Sequence, residues 1–450
     1  LAAAALLAIS SWHIHFSRGG WEVTLGVFFG ILGLYSLANY TNKLEVISKE
    51  KIIYFLISVI SFSLGMYSYH ASKVYIPLLI IAWFGTIFLD IFFAPRPLDY
   101  KNYKKHIFSV VIFISMFTVF SISALTSLTN ITGNSRFVSS TVSKFLSSPT
   151  IIQQLKDPNI DSHFYQSRLI RWYFGTGDIF SKVYAYFSPA QIFVWGDKVE
   201  RHSVVNMGRL LTLDFFLLLL GLIYFIKTKF TPLNFFAFLW VFIGALPGII
   251  TQDEYHTIRS LMMIVPIYIF VSLGLYKLYY YLNFRNRAYV LIPASVIYGF
   301  YYFFYFLNYQ YITPIENAEF YQYGMKQVAQ YIKQNEYKYD RIIVESPVLY
   351  GHPYIHIVSH MGYPPYLFQQ TVKRGDNYSV VPPVAEVYGF GKIEFRNIDW
   401  RSDQYLSNSL FLGPRDSLPT PDRLPSEKQV YLDEINYPSG KLFMRIIEVK

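Results

Sequence analysis

Three short stretches of this chain gather side chains that bind anions or move protons. The first is Trp12-His-Ile-His-Phe-Ser-Arg-Gly-Gly-Trp-Glu22. Its Arg18 and Glu22 flank a Gly-Gly pair, which lets a ligand approach the backbone closely. The start of a helix at that point would favour an anion. The second is Tyr67-Ser-Tyr-His-Ala-Ser-Lys73, in which His70 and Lys73 can hold a phosphate as point charges. The third is Asp253-Glu-Tyr-His-Thr-Ile-Arg259, where Asp253, Glu254, His256 and Arg259 can bind a sugar or a phosphate. His202, Arg209 and Asp214 belong to the same polar set. Each stretch also has a plainer reading: a surface Arg–Glu pair between tryptophan anchors, a snorkelling lysine beside a hydrogen-bonded histidine, and a solvated loop with paired charges. His202 with Glu254 or His256 can ligate a metal, but no ligand pair sits at a fixed helical spacing, so a divalent metal is possible and not indicated. There is no Gly-rich phosphate loop and no nucleophile elbow. The absence of cysteine excludes disulfides and thiol catalysis.

The elements that must position these residues are apolar. Of 450 residues, 53% are hydrophobic and 15% charged, against about 25% charged in an ordinary soluble domain. The apolar residues come in blocks near the roughly 20 residues that cross a bilayer core. Such blocks are 21–39, 52–69, 74–93, 106–127, 209–226, 233–250, 260–280 and 288–308, eight full spans, with residues 1–12 as the end of another. The fold class expected is a polytopic α-helical membrane protein with a C-terminal α/β domain, divided into 1–310 and 311–450. Because residue 1 is leucine and 1–12 is too short to span, the reading also expects a segment upstream of Leu1.

The net charge of +10 is concentrated in residues 1–313, which hold 24 Lys and Arg against 13 Asp and Glu. These basic residues sit in short loops between spans, so lipid headgroups rather than nucleic acid are the expected partner. They also alternate. One set of loops holds Lys43, Lys49 and Lys51, then Arg96, Lys101, Lys104 and Lys105, then Lys227 and Lys229, then Lys277, Arg285 and Arg287. The intervening short loops have Arg18, Lys73 and Arg259 nearly alone. Positive-inside orientation puts the basic set in the cytoplasm and places the long loop 128–208 and the 310–450 tail outside. The polar stretches then lie at the outer ends of the spans, where a lipid headgroup lies. The aromatics of the long loop (Trp172, Tyr173, Phe174, Tyr184, Tyr186, Phe187 and Trp195) suit an interfacial segment. In the tail, 316–335 has helical spacing, 341–346 reads as a strand, 391–398 nearly alternates, and 429–436 with 441–449 forms a hairpin turned by Tyr437-Pro-Ser-Gly440.

With these motifs in order, the chain resembles membrane glycosyltransferases of the GT-C superfamily, in particular bacterial proteins of glycosyltransferase family 39. These are akin to protein O-mannosyltransferases and the lipid A aminoarabinose transferase. The resemblance is carried by the Ser11-to-Glu22 run, Tyr67 to Pro77, Tyr186-Phe-Ser-Pro189 through Gly196-Asp197, Arg201-His202 and Gly208. His256-Thr-Ile-Arg-Ser260 with Pro266, and Gly389 to Trp400, complete it. It implies an inverting transfer of a sugar, mannose-like or another hexose or pentose. The donor would be a polyprenyl-phosphate carrier, and the acceptor a lipid, glycan or protein on the extracytoplasmic face of the cytoplasmic membrane. No cofactor is required. Glu22 would match the family's second acidic position and Arg18 the neighbouring arginine, while the main first-loop aspartate is expected upstream of Leu1. His70, Lys73, His202, Asp253, Glu254, His256 and Arg259 would contact substrate. Two other classes compete: a transporter or flippase for lipid-linked sugars, and an inactive glycan-binding scaffold. A transporter predicts midplane polar residues and an inverted repeat, and neither is seen in the sequence.

Overall fold

The computed structural model describes all residues except 43–47, 94–99, 127–178, 198, 229–230, 252–254, 283, 346–351, 376–386 and 425–426. Asp253, Glu254 and most of the 128–208 loop therefore lie outside the described residues. The chain divides into two compact units, Leu1–Phe306 and Leu307–Lys450.

The first unit is helical. Its helices are α1 (Ala2–Ala8), α2 (Ser11–Arg18), α3 (Glu22–Thr41), α4 (Lys49–Ser68), α5 (Ser72–Phe93) and α6 (Tyr100–Thr126). After the long loop come α7 (Thr212–Lys227), α8 (Pro232–Ile249), α9 (Ile264–Tyr281) and α10 (Phe284–Leu307). Seven helical stretches among the described residues are long and apolar enough to cross a membrane. The block at 209–226, expected as a full span, forms the 16-residue α7, short of the roughly 20 residues a crossing needs. Residues 1–12 are not one helix end: the chain breaks at Ile9–Ser10 and restarts as α2.

Close helix packing comes from glycines. A Cβ on Gly33 of α3 would stand 2.6 Å from the Phe62 ring of α4. One on Gly274 of α9 would stand 1.9 Å from the Leu217 carbonyl oxygen of α7. Small residues at a crossing let two backbones touch, which is how helices associate where no water drives them together.

The second unit is a seven-stranded mixed sheet, in the order β2-β3-β4-β1-β5-β7-β6. The strands are β1 (Arg341–Val344), β2 (Lys373–Arg374), β3 (Val387–Phe390), β4 (Ile393–Phe395), β5 (Ser409–Gly413), β6 (Gln429–Asn436) and β7 (Leu442–Val449). Central β1 runs parallel to β4 and β5, and it is buried along Ile342, Ile343 and Val344, as a central parallel strand must be. Helix α11 (Met325–Asn335) and helix α12 (Pro353–Met361) pack against each other in this unit. The expected helix over 316–335 is shorter, because the chain turns through Gln322 and Gly324 at φ 56° and 100° before α11 begins. The expected hairpin is present. Tyr437 N–H donates to the Lys441 carbonyl at 2.8 Å, and Gly440 supplies the positive φ of 81° that closes the turn. The Gly389-to-Trp400 run is built into the sheet of this unit. It forms β3 and β4 around Gly391 at φ 53°, and the Arg396 guanidinium grips the Asp403 carboxylate with two bonds of 2.8 Å.

Candidate functional site

The polar residues of the first unit collect where α3, α5, α7 and α9 begin and α4 and α8 end. Three segments cross there: α2, residues 186–211, and residues 255–260. Two glycines allow the middle segment to fold on itself. A Cβ on Gly208 would lie 2.3 Å from the Phe193 carbonyl carbon, and one on Gly196, at φ 72°, would lie 2.7 Å from the Met207 oxygen. Leu210 N–H closes the crossing onto Ile192. The segment is tied to α2 by Ser11 Oγ and Trp12 N–H, which donate to the Arg209 carbonyl at 2.8 and 3.2 Å.

Asp197 is the electrostatic centre. One oxygen of its buried carboxylate accepts from the Thr257 N–H at 2.7 Å and the Thr257 hydroxyl at 2.6 Å. The other accepts from the Val199 N–H at 2.9 Å. His202 Nδ1 stands 3.4 Å away, an ion-pair contact rather than a well-aligned hydrogen bond. Burial pushes the Asp197 carboxyl up. His202, by contact and by charge, and the Thr257 and Val199 donors outweigh burial and hold the group down at about 2.

Around this dyad stand further titratable groups. The His202 and His256 rings are 4.6 Å apart, and Trp21 lies edge-on to His202 at 5.6 Å. His15 pairs through Nε2 with the Arg201 carbonyl at 2.9 Å. Burial lowers the pKa of His15, so its neutral form dominates at neutral pH. Tyr186 locks the third segment in place: its hydroxyl accepts from the His256 N–H at 2.8 Å and donates to the His256 carbonyl at 3.3 Å.

Arg209 is the unusual member. It is 3% exposed. Its guanidinium is held between two aromatic faces, 4.4 Å from the Trp12 ring and 4.2 Å from the Tyr255 ring. None of its three nitrogens has a hydrogen-bond partner among the described residues. Arg209, His15, His202, Ser11 and Ser203 line a cavity of about 10 Å³. Buried polar groups are nearly always satisfied, and an exception calls for an unrecorded ligand, water or ion. Asp214, close in sequence, is the contrast: it is fully buried and committed. The Tyr268 hydroxyl donates to it at 3.0 Å, the Tyr298 hydroxyl donates to its other oxygen, and it caps the Leu211 N–H at 3.1 Å. Asp214 therefore clamps α7 to α9 and α10, and no acceptor capacity faces a substrate.

The residues singled out from sequence divide in two. His202 and His256 join the Asp197–Arg209 cluster. Glu22, Tyr69 and Arg259 form an adjoining group, in which Arg259 donates to the Tyr69 hydroxyl and the Glu22 charge acts on it. His70 stacks on Tyr69 at 4.8 Å, and Lys73 lies half-buried in the first turn of α5. The charges of Arg209, Asp197 and Arg259 all act on the Tyr186 hydroxyl, which joins the two groups. Arg18 and Glu22 are exposed at the two sides of Gly19-Gly20. Each sits at the helix end its charge favours, Arg18 in the last turn of α2 and Glu22 in the first turn of α3. Asp197, His15 and Thr257 were missed as site residues. The Gly196-Asp197 and Arg201-His202 steps were the available signal, but no local spacing reveals a pairing across 60 residues. Among the described residues no three His, Asp or Glu side chains converge as a metal site. Comparison of the chain with protein-family models, with curated proteins and with solved structures gives no match.

Proposed function

We propose that this chain is a membrane glycosyltransferase that moves a sugar from a polyprenyl-phosphate carrier to an acceptor hydroxyl outside the membrane. The observation that carries this reading is Arg209, a desolvated cation whose donors meet no acceptor among the described residues, set among histidines at the ends of apolar helices. The cavity beside it, about 10 Å³, has room for no more than a water, so a lipid-borne phosphate reaches Arg209 from the bilayer as the segments around it part. In the reaction the bond between the anomeric carbon and the phosphate oxygen breaks, and the acceptor oxygen forms the new bond from the opposite face. The acceptor proton passes to a carboxylate, for which Glu22 is the exposed candidate, and Arg18 and Arg259 stand at the same helix ends. Preorganised cations stabilise the phosphate as charge develops on it.

The alternation of basic loops supports placing these helix ends and the C-terminal unit on the outer face. A midplane site of the transporter kind is not favoured, because the buried polar residues of the site stand at helix ends. The test is turnover by the full-length protein in vesicles supplied with polyprenyl-phosphate-linked sugars. Arg18→Ala and Glu22→Gln should each lower turnover by roughly tenfold or more, about 1.4 kcal/mol of barrier. Unchanged turnover in both would show that the pair serves only the helix ends. Absence of transfer from every such donor would overturn the proposal.

A further inference from the structure

The second unit carries a histidine pair that the proposed reaction does not use. His356 and His360 are one helical turn apart on α12, and neighbours at this spacing share a face. Their rings lie near parallel, 26° apart, with centroids separated by 6.4 Å. His356 is half-buried and His360 exposed, and among the described residues no protein hydrogen bond occupies either ring. The expectation that no ligand pair sits at a fixed helical spacing is corrected here, because His-x-x-x-His at 356 and 360 is such a pair.

The backbone beneath the pair is held firmly. Ile357 and Met361, each one residue after a histidine and so about 100° round the helix, are buried in the core of this unit. Pro353 occupies the first turn and Gly362, at φ 64°, ends the helix, so both ends are fixed. The Tyr354 ring stacks on Phe368 at 5.9 Å and 6°. A chelating pair on a rigid helix needs only side-chain rotation to close on an ion.

We propose that His356 and His360 form a two-imidazole site for a borderline divalent transition-metal cation, with Cu²⁺ held more tightly than Ni²⁺ or Zn²⁺. Imidazole suits these ions and disfavours the hard Mg²⁺ and Ca²⁺. Water completes the coordination sphere, since no third His, Asp or Glu converges there among the described residues. His352 stands four residues before His356, but its backbone is left-handed at φ 93° and its ring turns edge-on to Tyr354 at 6.0 Å. That geometry takes it out of the helical register of the pair.

The experiment uses the whole chain in detergent, stripped of metal and carrying no histidine tag, titrated calorimetrically with Cu²⁺. His356→Ala and His360→Ala should each weaken the tightest Cu²⁺ binding by about tenfold or more, while His352→Ala should leave it unchanged. Electron paramagnetic resonance of the wild-type Cu²⁺ complex should show two imidazole nitrogens. His352 and His360 are exposed and His356 is only half-buried, so melting temperatures should stay near the wild-type value. A double variant at 356 and 360 that binds Cu²⁺ as tightly as the wild type would overturn the proposal. So would a wild-type spectrum with fewer than two nitrogens.

Discussion

Replacing Arg209 by methionine separates a ligand-binding cation from a structural one. The side chain makes two cation–π contacts, at 4.4 and 4.2 Å, each worth up to about 2 kcal/mol when desolvated. Against this stands the cost of a buried charge with no hydrogen-bond partner among the described residues, several kcal/mol per ion after relaxation. The two terms nearly cancel. Methionine keeps much of the volume and can pack between Trp12 and Tyr255 through its thioether. The bonds from Ser11 and Trp12 go to the Arg209 carbonyl and survive the change. Arg209→Met should therefore alter stability by no more than about 2 kcal/mol, read from thermal unfolding in detergent. The same variant should lose affinity for polyprenyl phosphate, read from the change in intrinsic tryptophan fluorescence on titration. A loss of more than about 3 kcal/mol with unchanged phosphate affinity would refute the reasoning, because Arg209 would then be a structural keystone whose charge is already compensated.

Two further predictions concern stability. The folded-state pKa of Asp197, about 2, lies below the unfolded value of about 3.9, so its stabilisation is complete above roughly pH 4 and is lost as pH falls through 2. Asp197→Asn should cost about 2 kcal/mol at neutral pH and should flatten the stability profile between pH 4 and 2, measured by unfolding at each pH. A variant with the wild-type profile would show that Asp197 is not the titrating group. Gly274→Ala places a Cβ 1.9 Å from the Leu217 oxygen, whereas nothing lies within 4 Å of a Cβ on Gly299. The first should lower stability by about 2 kcal/mol or more and the second should change it by less than about 0.5 kcal/mol; equal melting temperatures would contradict the α7–α9 crossing.

Much of the helical layout was legible because length and hydropathy act locally. The expected span 233–250 is α8 at Pro232–Ile249, and 74–93 is α5 at Ser72–Phe93. The hairpin at 429–449 was legible because two apolar-containing runs flank the Tyr437-Pro-Ser-Gly440 turn. The failures are nonlocal. Nothing in residues 1–12 announces the break at Ser10, because α2 is fixed by bonds to Arg209 almost 200 residues away. Asp214 belongs by sequence to the polar set, and its commitment to Tyr268 and Tyr298, from two later helices, is not visible locally. Arg209 gains its character from burial and Asp197 from the His202, Thr257 and Val199 partners that outweigh burial, and both follow from the way three separate segments cross.

Sealed vesicles containing the full-length protein, with a polyprenyl-phosphate sugar labelled separately in the sugar and in the phosphate, test the central claim most directly. The account predicts that the sugar label moves to an acceptor while the phosphate label stays on the lipid, on the face that carries the C-terminal unit. Movement of both labels together across the bilayer, with the donor intact, would contradict it and make the protein a carrier of the lipid-linked sugar.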